Sequence, residues 1–104
     1  MPSLTHTSAL ILQAVASGYR YGFDIINVSG LPSGTVYPAL RRLEHSRLVR
    51  SHWESEKIAH REQRPARKYY EVLRDGRKAL EEAVQRFRHL QAIRPQTTPK
   101  LSRS

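Results

Sequence analysis

The most informative segment of the sequence is Gly30-Leu31-Pro32-Ser33-Gly34-Thr35-Val36-Tyr37-Pro38-Ala39-Leu40-Arg41-Arg42-Leu43-Glu44. Its apolar side chains at positions 36, 40 and 43 are four and three residues apart, so they share one face of an α-helix and can pack against neighbouring helices. The other face carries hydroxyl, phenol and guanidinium groups, which all donate hydrogen bonds to phosphate or base-edge acceptors. The segment therefore predicts a helix with one face in a protein core and the other on an anionic polymer.

The first turn of this helix is predicted to bind phosphate. Ser33 is the predicted N-cap, and Gly34 and Thr35 follow it. Free backbone N–H groups and the positive end of the helix dipole favour an anion at such a turn. Pro38 lies five positions after the cap and removes one backbone hydrogen bond, so we expect a tight or bent first turn rather than a break.

The exposed face supplies three further candidate DNA contacts. Tyr37 is predicted to hold phosphates together with the hydroxyl groups of the first turn, and Arg41 and Arg42 are predicted to reach the groove or the phosphates. The alternative for the two arginines is a solvated helix face on which they pair with Glu44 or with carboxylates elsewhere. The alternative for the whole segment is an ordinary amphipathic surface helix.

The charge of the chain also points to a polyanionic partner. Its 104 residues contain 18 Lys and Arg against 9 Asp and Glu, which gives a formal net charge of +9. A chain of this length forms one small domain with a modest core, so a partner subunit is plausible.

The same composition excludes several classes of protein. The absence of cysteine excludes disulfides, thiolate metal sites and cysteine nucleophiles. The five histidines include no pair at i and i+4, and neither paired catalytic carboxylates nor a glycine-rich phosphate loop is present, so we expect no metal, no cofactor and no enzyme activity. No apolar run approaches the ~20 residues that span a bilayer, which leaves the cytoplasm as the expected compartment.

Two helices are predicted before this segment. The first covers residues 5–16. The second is shorter, opens at Tyr21-Gly22 and directs Phe23 and Ile26 into the core. Three compact helices with a tight turn between the second and third match the helix-turn-helix plan.

A β-hairpin is predicted after it. Residues 48–54 alternate with Val49, Ser51 and Trp53 on a partly buried face, and residues 68–73 form the second strand. Trp53 and the Tyr69-Tyr70 pair are expected in the core of the hairpin, and the alternative is a platform on which bases stack.

The connection between the two strands is predicted to be a long polar loop over residues 56–67, the wing of a winged helix-turn-helix. Narrow A·T-rich minor grooves attract arginine, so the cations in and beside this loop are candidate DNA contacts: Arg61, Arg64, Arg67 and Lys68. The alternative is a loop that serves only solubility.

The last helix is predicted over residues 75–93. Its apolar stripe is expected to form a dimer interface, with packing against the first helix as the alternative, and consists of Leu80, Val84, Phe87, Leu90 and Ile93. The domain organisation is then a DNA-binding domain over 1–74, a dimerisation helix over 75–93 and a disordered basic tail over 94–104. The fold class is mainly α with a small β-hairpin (α+β).

Taken in order, five motifs resemble the PadR-like winged-helix transcriptional regulators. Each is weak alone, but their order and spacing are specific. They are Tyr21-Gly22-Phe23-Asp24-Ile25, the segment from Gly34 to Glu44, Leu48-Val49, Arg64-Pro65-Ala66-Arg67-Lys68-Tyr69-Tyr70, and Asp75-Gly76-Arg77-Lys78-Ala79-Leu80.

This resemblance implies a homodimer that binds double-stranded DNA at a palindromic operator, usually as a repressor. It also implies a dimer contact built by the first and last helices, in a short branch of the family with a single C-terminal helix. Some members bind flat aromatic or xenobiotic molecules that release them from DNA, which adds a small aromatic effector to the candidate partners.

The chain departs from the family pattern at two positions. Leu73 stands where the family usually has Thr, which removes a capping hydroxyl and makes Asp75 the candidate cap of the last helix. Gln63 stands where the family tends to have Gly before the Arg-Pro pair, at the tip of the wing.

Two other functions are compatible with the sequence. Charge alone does not separate duplex DNA from structured RNA, so a basic RNA-binding protein is the main alternative. A winged helix that serves only as a protein-interaction adaptor is the other, and it predicts no salt-dependent DNA binding.

Overall fold

The fold comes from a computed structural model that describes residues 4–87 and residue 93. The chain is mainly helical with one two-stranded antiparallel sheet, as the sequence predicts. The elements in order are α1 (His6–Ala16), α2 (Gly22–Ser29), α3 (Ser33–His45), β1 (Val49–Trp53), α4 (Glu56–Arg61), β2 (Lys68–Val72) and α5 (Arg74–Arg86).

One core joins the helices to the base of the hairpin. The predicted inner face of α3 is confirmed, because Val36 and Leu40 are fully buried and Leu43 is 3% exposed. The core residues from the other elements are Ile11, Leu12, Ala14, Val15, Ile25, Leu48, Val49, Tyr70 and Leu80. Since Leu80 belongs to this core, α5 is attached to the rest of the chain by the chain's own packing.

The connection between α2 and α3 is short, as the helix-turn-helix plan requires. Gly30 ends α2 in the left-handed conformation, with a φ of 74°, and its N–H donates to the carbonyl of Ile26 at 3.0 Å. Only residues 30–32 separate the two helices. This tight turn fixes the position of the first turn of α3 relative to α2.

The start of α3 differs from the prediction by one residue. Pro32 is the N-cap, and Ser33 is the first helical residue and makes no capping hydrogen bond. The carbonyl of Pro32 already accepts from the N–H groups of Thr35 and Val36, at 2.9 and 3.0 Å, which places the helix start one position earlier. The first turn is tight, and the helix continues through Pro38, as predicted.

Two helices, α3 before the hairpin and α4 before the wing tip, are each followed by a non-glycine residue in the left-handed region. After α3, Arg47 has a φ of 62°, and the N–H of Leu48 reaches back to the carbonyl of Leu43 at 2.9 Å. After α4, Gln63 has a φ of 56°. The family favours glycine at this position, and in this chain Gln63 adopts the left-handed conformation that glycine would adopt.

The wing contains a helix that the sequence analysis missed. Residues 56–67 were expected to be a polar loop, but Glu56–Arg61 form α4. Ser55 caps it by accepting from the N–H of Ile58 at 3.2 Å, and Ala59 is buried beneath it. The sequence does contain a signal for this helix. A Ser cap is followed by an acidic first turn and a basic last turn, which complement the helix dipole.

Two aromatic residues predicted to be buried are exposed. Phe23 is 70% exposed because α2 turns Gly22 and Ile25 into the core instead, with Ile26 half-buried beside them. Trp53 is 64% exposed because it lies at the wing end of β1, beyond the part of the strand that covers the core.

The register of the hairpin explains which of its other aromatic residues are covered. Tyr70 lies opposite Ser51 and is buried, whereas Tyr69 lies opposite His52 on the other face and is half-buried. The prediction of a hairpin core is therefore confirmed for Tyr70.

The last helix begins one residue earlier than predicted. Leu73 is its N-cap and makes no side-chain capping bond, so Asp75 is not the cap but lies in the first turn, where a carboxylate favours the dipole.

The same helix also ends before its predicted limit. It stops at Arg86, since Phe87 is extended, with a φ of −120°, and Ile93 lies in a bend. Leu90 and the basic tail over 94–104 lie outside the described residues.

Gly76, in the first turn of α5, and Gly34, in the first turn of α3, provide a matched test of the packing of α5 on the hairpin. A Cβ on Gly76 would clash with the backbone carbonyl of Leu48 and lie 2.9 Å from Cγ1 of Val72, whereas a Cβ on Gly34 meets nothing within 4 Å. We expect Gly76→Ala to lower the free energy of unfolding by about 1–3 kcal/mol through overpacking. Gly34→Ala should leave it unchanged or raise it by up to about 1 kcal/mol. Urea denaturation measures both, and equal changes would contradict the packing of α5 on the hairpin.

Candidate nucleic-acid interface

The outer face of α3 presents cations that have no carboxylate partner. Arg41 and Arg42 are exposed, and across residues 4–87 neither forms an ion pair. Glu44, the alternative partner considered for them, instead accepts a hydrogen bond from the hydroxyl of Ser51 at 2.6 Å. Both guanidinium groups therefore keep their donors available for an external acceptor.

The first turn of α3 lies on the same outer side. Ser33 and Gly34 are exposed and Thr35 is half-buried. Ser33 is the first helical residue and not the N-cap, and because it is exposed its hydroxyl is accessible to a ligand. This turn therefore brings a hydroxyl and open backbone next to the phenol of Tyr37.

The phenol of Tyr37 rests on the start of α2. A Cβ on Gly22 would lie 2.5 Å from both Cε1 and the hydroxyl oxygen of Tyr37, so this side chain occupies the space that glycine leaves open. Tyr37 nevertheless remains 43% exposed. The positioning role of Gly22 was not predicted, although the Tyr21-Gly22 pair marked the start of the helix.

A buried carboxylate organises the base of the wing. The side chain of Glu54 is 2% exposed, and the guanidinium of Arg64 donates to both of its oxygens, at 2.6 and 2.8 Å. The backbone N–H of Arg67 and the hydroxyl of Tyr69 also donate to it, at 3.3 and 3.0 Å. Tyr21 in turn donates to the hydroxyl of Tyr69 at 2.8 Å, which connects this network to the start of α2.

The network has a fixed protonation state near neutral pH. The hydrogen bond with Arg64 lowers the pKa of Glu54 from 4.5 to about 2, against the opposing effect of burial. The hydrogen bond with Tyr21, together with burial and the bond to Glu54, raises the pKa of Tyr69 to about 12. The carboxylate is therefore ionised and the phenol of Tyr69 protonated, so each keeps its role as acceptor or donor.

Of the four predicted wing contacts, only Arg64 forms an ion pair with a carboxylate of residues 4–87. The guanidinium of Arg64 is bound to Glu54 and stabilises the wing from inside. Arg67 is exposed and lies over the ring of Tyr21 at 4.5 Å, and the ammonium of Lys68 lies 5.7 Å from the ring centroid of Trp53. Arg61 is exposed on α4.

The structure brings part of the predicted set together around one cleft. This cleft, of about 730 Å³, lies between α2, α3 and the hairpin. Its lining includes Tyr37 and Arg41 from α3 and Arg67 and Lys68 from the wing. The six remaining candidates do not line it: Ser33, Gly34, Thr35, Arg42, Arg61 and Arg64. Phe23 and Trp53 also line the cleft, although the sequence predicts Phe23 in the core and Trp53 in the core of the hairpin, with a base-stacking platform as the alternative for Trp53.

A metal site and a membrane-spanning helix are both absent from the part of the chain that the structure describes. No group of three or more His, Asp or Glu side chains is arranged to hold a metal ion. No helix there is both long and apolar enough to pass through a membrane.

The sequence matches a known family over more than half of its length. Residues 11–82 match the family described as the transcriptional regulator PadR-like family. The chain therefore belongs to the PadR-like family, and its elements are those of a DNA-binding winged-helix regulator. Since the family consists of transcription regulators, the expectation that the chain is not an enzyme is confirmed.

Solved structures support the same fold. A PadR family transcription regulator from Clostridium difficile R20291 is 26% identical, with a TM-score of 0.69 over 86% of this chain and 94% of that one. A PadR-like regulator from Bacillus cereus is 22% identical, with a TM-score of 0.62 over 82% and 84%. Bordetella bronchiseptica BpsR is 19% identical, with a TM-score of 0.68 over 95% and 73%, and shows the fold alone. No curated protein matches the chain.

The state of Glu54 predicts a pH-dependent stability. Because its pKa is lowered in the folded protein, this carboxylate stabilises the fold above about pH 4.5, and the contribution is lost as the pH falls towards 2. We expect the free energy of unfolding to fall more steeply over this range in the wild type than in Glu54→Gln, as measured by urea unfolding at several pH values.

The control is Glu71→Gln. The pKa of Glu71 is also lowered, by its hydrogen bond with Arg50, but this pair is exposed to solvent, so its effect should be smaller. Parallel pH profiles for the wild type and Glu54→Gln would contradict a stabilising role for the buried network.

Proposed function

We propose that the protein is a repressor that binds a palindromic operator in double-stranded DNA as a homodimer. The observation that carries this proposal is the pair of unpartnered guanidinium groups on the outer face of α3, beside the exposed cations of the wing. A surface of this kind neutralises phosphates, and a helix that projects such side chains can reach base edges in the major groove.

Each side chain has a distinct role in this proposal. Arg41 reads a base edge or a nearby phosphate, and Arg42 binds the backbone, since the two point in different directions. Tyr37 holds a phosphate together with the first-turn residues Ser33, Gly34 and Thr35. Arg61, Arg67 and Lys68 reach the minor groove or the backbone beside it. Arg64 acts indirectly, because its bond to Glu54 holds the wing in place.

The proposed dimer contact lies at the end of α5 and the start of α1. Ala9 and Ala83 are fully buried against each other, and partly buried Leu4, Leu10, Val84 and Phe87 surround them. This apolar edge is where a second copy would complete the packing. Leu80 does not belong to it, because it is buried in the core of its own chain. Residues 1–74 then supply the DNA contacts, and residues 75–93 supply the dimer contact together with the start of α1.

A small aromatic effector is part of the proposal. The DNA binding of BpsR, one of the structural neighbours, is regulated by 6-hydroxynicotinic acid. An aromatic molecule that binds near the interface would provide a way to release the repressor from DNA.

Salt dependence tests the interface as a whole. If each subunit neutralises about four phosphates, a dimer neutralises about eight, and log affinity should fall against log salt concentration with a slope of roughly −7. The measurement uses a duplex selected from a random pool, in which inverted repeats should be enriched. Structured RNA that competes as well as this duplex would favour the RNA-binding alternative, and the absence of salt-dependent binding would favour the adaptor.

A single substitution tests the role of α3. Arg41→Ala should weaken binding to the selected duplex and relax the preference at one base pair by about 1–3 kcal/mol. The matched control is Arg50→Ala, which removes the same charge from a side chain that pairs with Glu71 on the other face of the hairpin. If both variants weaken binding equally and leave the sequence preference intact, Arg41 contributes charge alone.

A substitution on the predicted apolar stripe tests the dimer. Leu90→Asp would leave a carboxylate without a partner in an apolar interface, so we expect this variant to sediment as a 12.0-kDa monomer while the wild type sediments as a dimer. Gln85→Asp, on the exposed side of α5, is the control and should remain dimeric. An intact dimer in Leu90→Asp would refute the proposed interface.

A further inference from the structure

The backbone and the side chain of Arg67 are both held in place. Its carbonyl accepts from the N–H of Glu54 at 2.8 Å, and its own N–H donates to the carboxylate of Glu54 at 3.3 Å. Its guanidinium lies over the ring of Tyr21, 4.5 Å from the ring centroid, and forms no ion pair within residues 4–87. A guanidinium stacked on a ring keeps its N–H donors in its own plane, so they remain accessible to an external acceptor.

The ring under this guanidinium is itself fixed to the hairpin. The hydroxyl of Tyr21 donates to that of Tyr69 at 2.8 Å, and the centroids of the two rings lie 4.5 Å apart. The backbones also meet, because Tyr21 and Tyr69 form an antiparallel β-bridge and the N–H of Tyr70 donates to the carbonyl of Arg20 at 2.9 Å. The residues just before α2 therefore pair with β2, so the ring of Tyr21 keeps a fixed position relative to the wing.

Arg61, the other exposed arginine of the predicted wing set, has no such support. It lies on α4, and within residues 4–87 it takes part in no ion pair and no cation–π contact. A long side chain loses conformational freedom when it binds DNA, and one that is already ordered loses less. Arg67 is therefore better prepared than Arg61 to enter a confined space such as a narrow groove.

We propose that Tyr21 is a positioning residue, which holds Arg67 in the orientation from which it enters an A·T-rich minor groove. The ring orders the guanidinium in the free protein, and the strong negative potential of the narrow groove then attracts a side chain that is already in place. Arg61 contacts phosphates and carries no sequence preference. The minor-groove step rests on the proposed function, whereas the ordering of Arg67 by Tyr21 does not.

The first experiment measures this ordering without DNA. In the isotope-labelled full chain, the Nε–H proton of Arg67 should be shifted upfield by the ring of Tyr21 and should show a nuclear Overhauser effect to its ring protons. Tyr21→Phe keeps the ring and should keep the shift, whereas Tyr21→Leu should lose it. Both variants lose the hydrogen bond to Tyr69, so their difference isolates the ring. The absence of the Overhauser effect in the wild type, or an unchanged shift in Tyr21→Leu, would overturn the proposal.

The second experiment measures affinity for the selected duplex in a double-mutant cycle. Tyr21→Leu should weaken binding about three- to tenfold, and Tyr21→Phe less than about twofold. In an Arg67→Ala background Tyr21→Leu should cause no further loss, whereas in an Arg61→Ala background the full loss should remain. A purely structural role of Tyr21 would weaken binding in both backgrounds, and that result would overturn the positioning role.

The third experiment reads the sequence preference by selection from a random pool. The wild type should enrich A·T pairs at the positions that the wing reaches, and Arg61→Ala should keep this preference. Tyr21→Leu and Arg67→Ala should both lose it, and its retention in Tyr21→Leu would contradict the proposal. If no duplex binds any of these proteins, the proposed function fails together with the minor-groove step, while the resonance of Arg67 still decides whether Tyr21 orders this side chain.

Discussion

Burial of the inner face of α3 fixes the orientation of this helix, and the arrangement of the site follows from that orientation. Val36, Leu40 and Leu43 are almost completely removed from water, and each such side chain contributes about 1.5–3 kcal/mol. An exposed hydrogen bond or ion pair contributes about 1 kcal/mol or less, so the apolar face decides how the helix is rotated. Once that rotation is fixed, Arg41 and Arg42 lie on the exposed side of the helix.

The wing depends on a second constraint, the buried carboxylate of Glu54. It binds Arg64 through two hydrogen bonds and reaches the start of α2 through Tyr69 and Tyr21. In this arrangement one cation of the wing, Arg64, supports the wing from inside, and another, Arg67, lies over the ring of Tyr21. The surface that carries the candidate DNA contacts is therefore held by two separate sets of contacts, the apolar inner face of α3 and the ionic network of Glu54.

The sequence predicted those features that depend on local spacing. The inner face of α3 and the two strands follow from periodicity, which is fixed by backbone geometry. Features that depend on contacts distant in the chain were missed. Phe23 and Ile25 lie on different faces of the eight-residue α2, and only packing against neighbouring elements selects the face with Ile25 for the core. The sequence predicts a DNA contact at Arg64, since nothing local in it reveals that Glu54, ten positions earlier, binds this side chain.

The most direct test of the central claim is to map which backbone amides respond to DNA. Titration of the isotope-labelled protein with a selected duplex should perturb the amide resonances of residues 33–42 of α3 and 61–68 of the wing. Those of the exposed face of α5 between Arg74 and Arg86 should stay in place. Perturbations confined to α5, or none at all in dilute salt, would contradict the account.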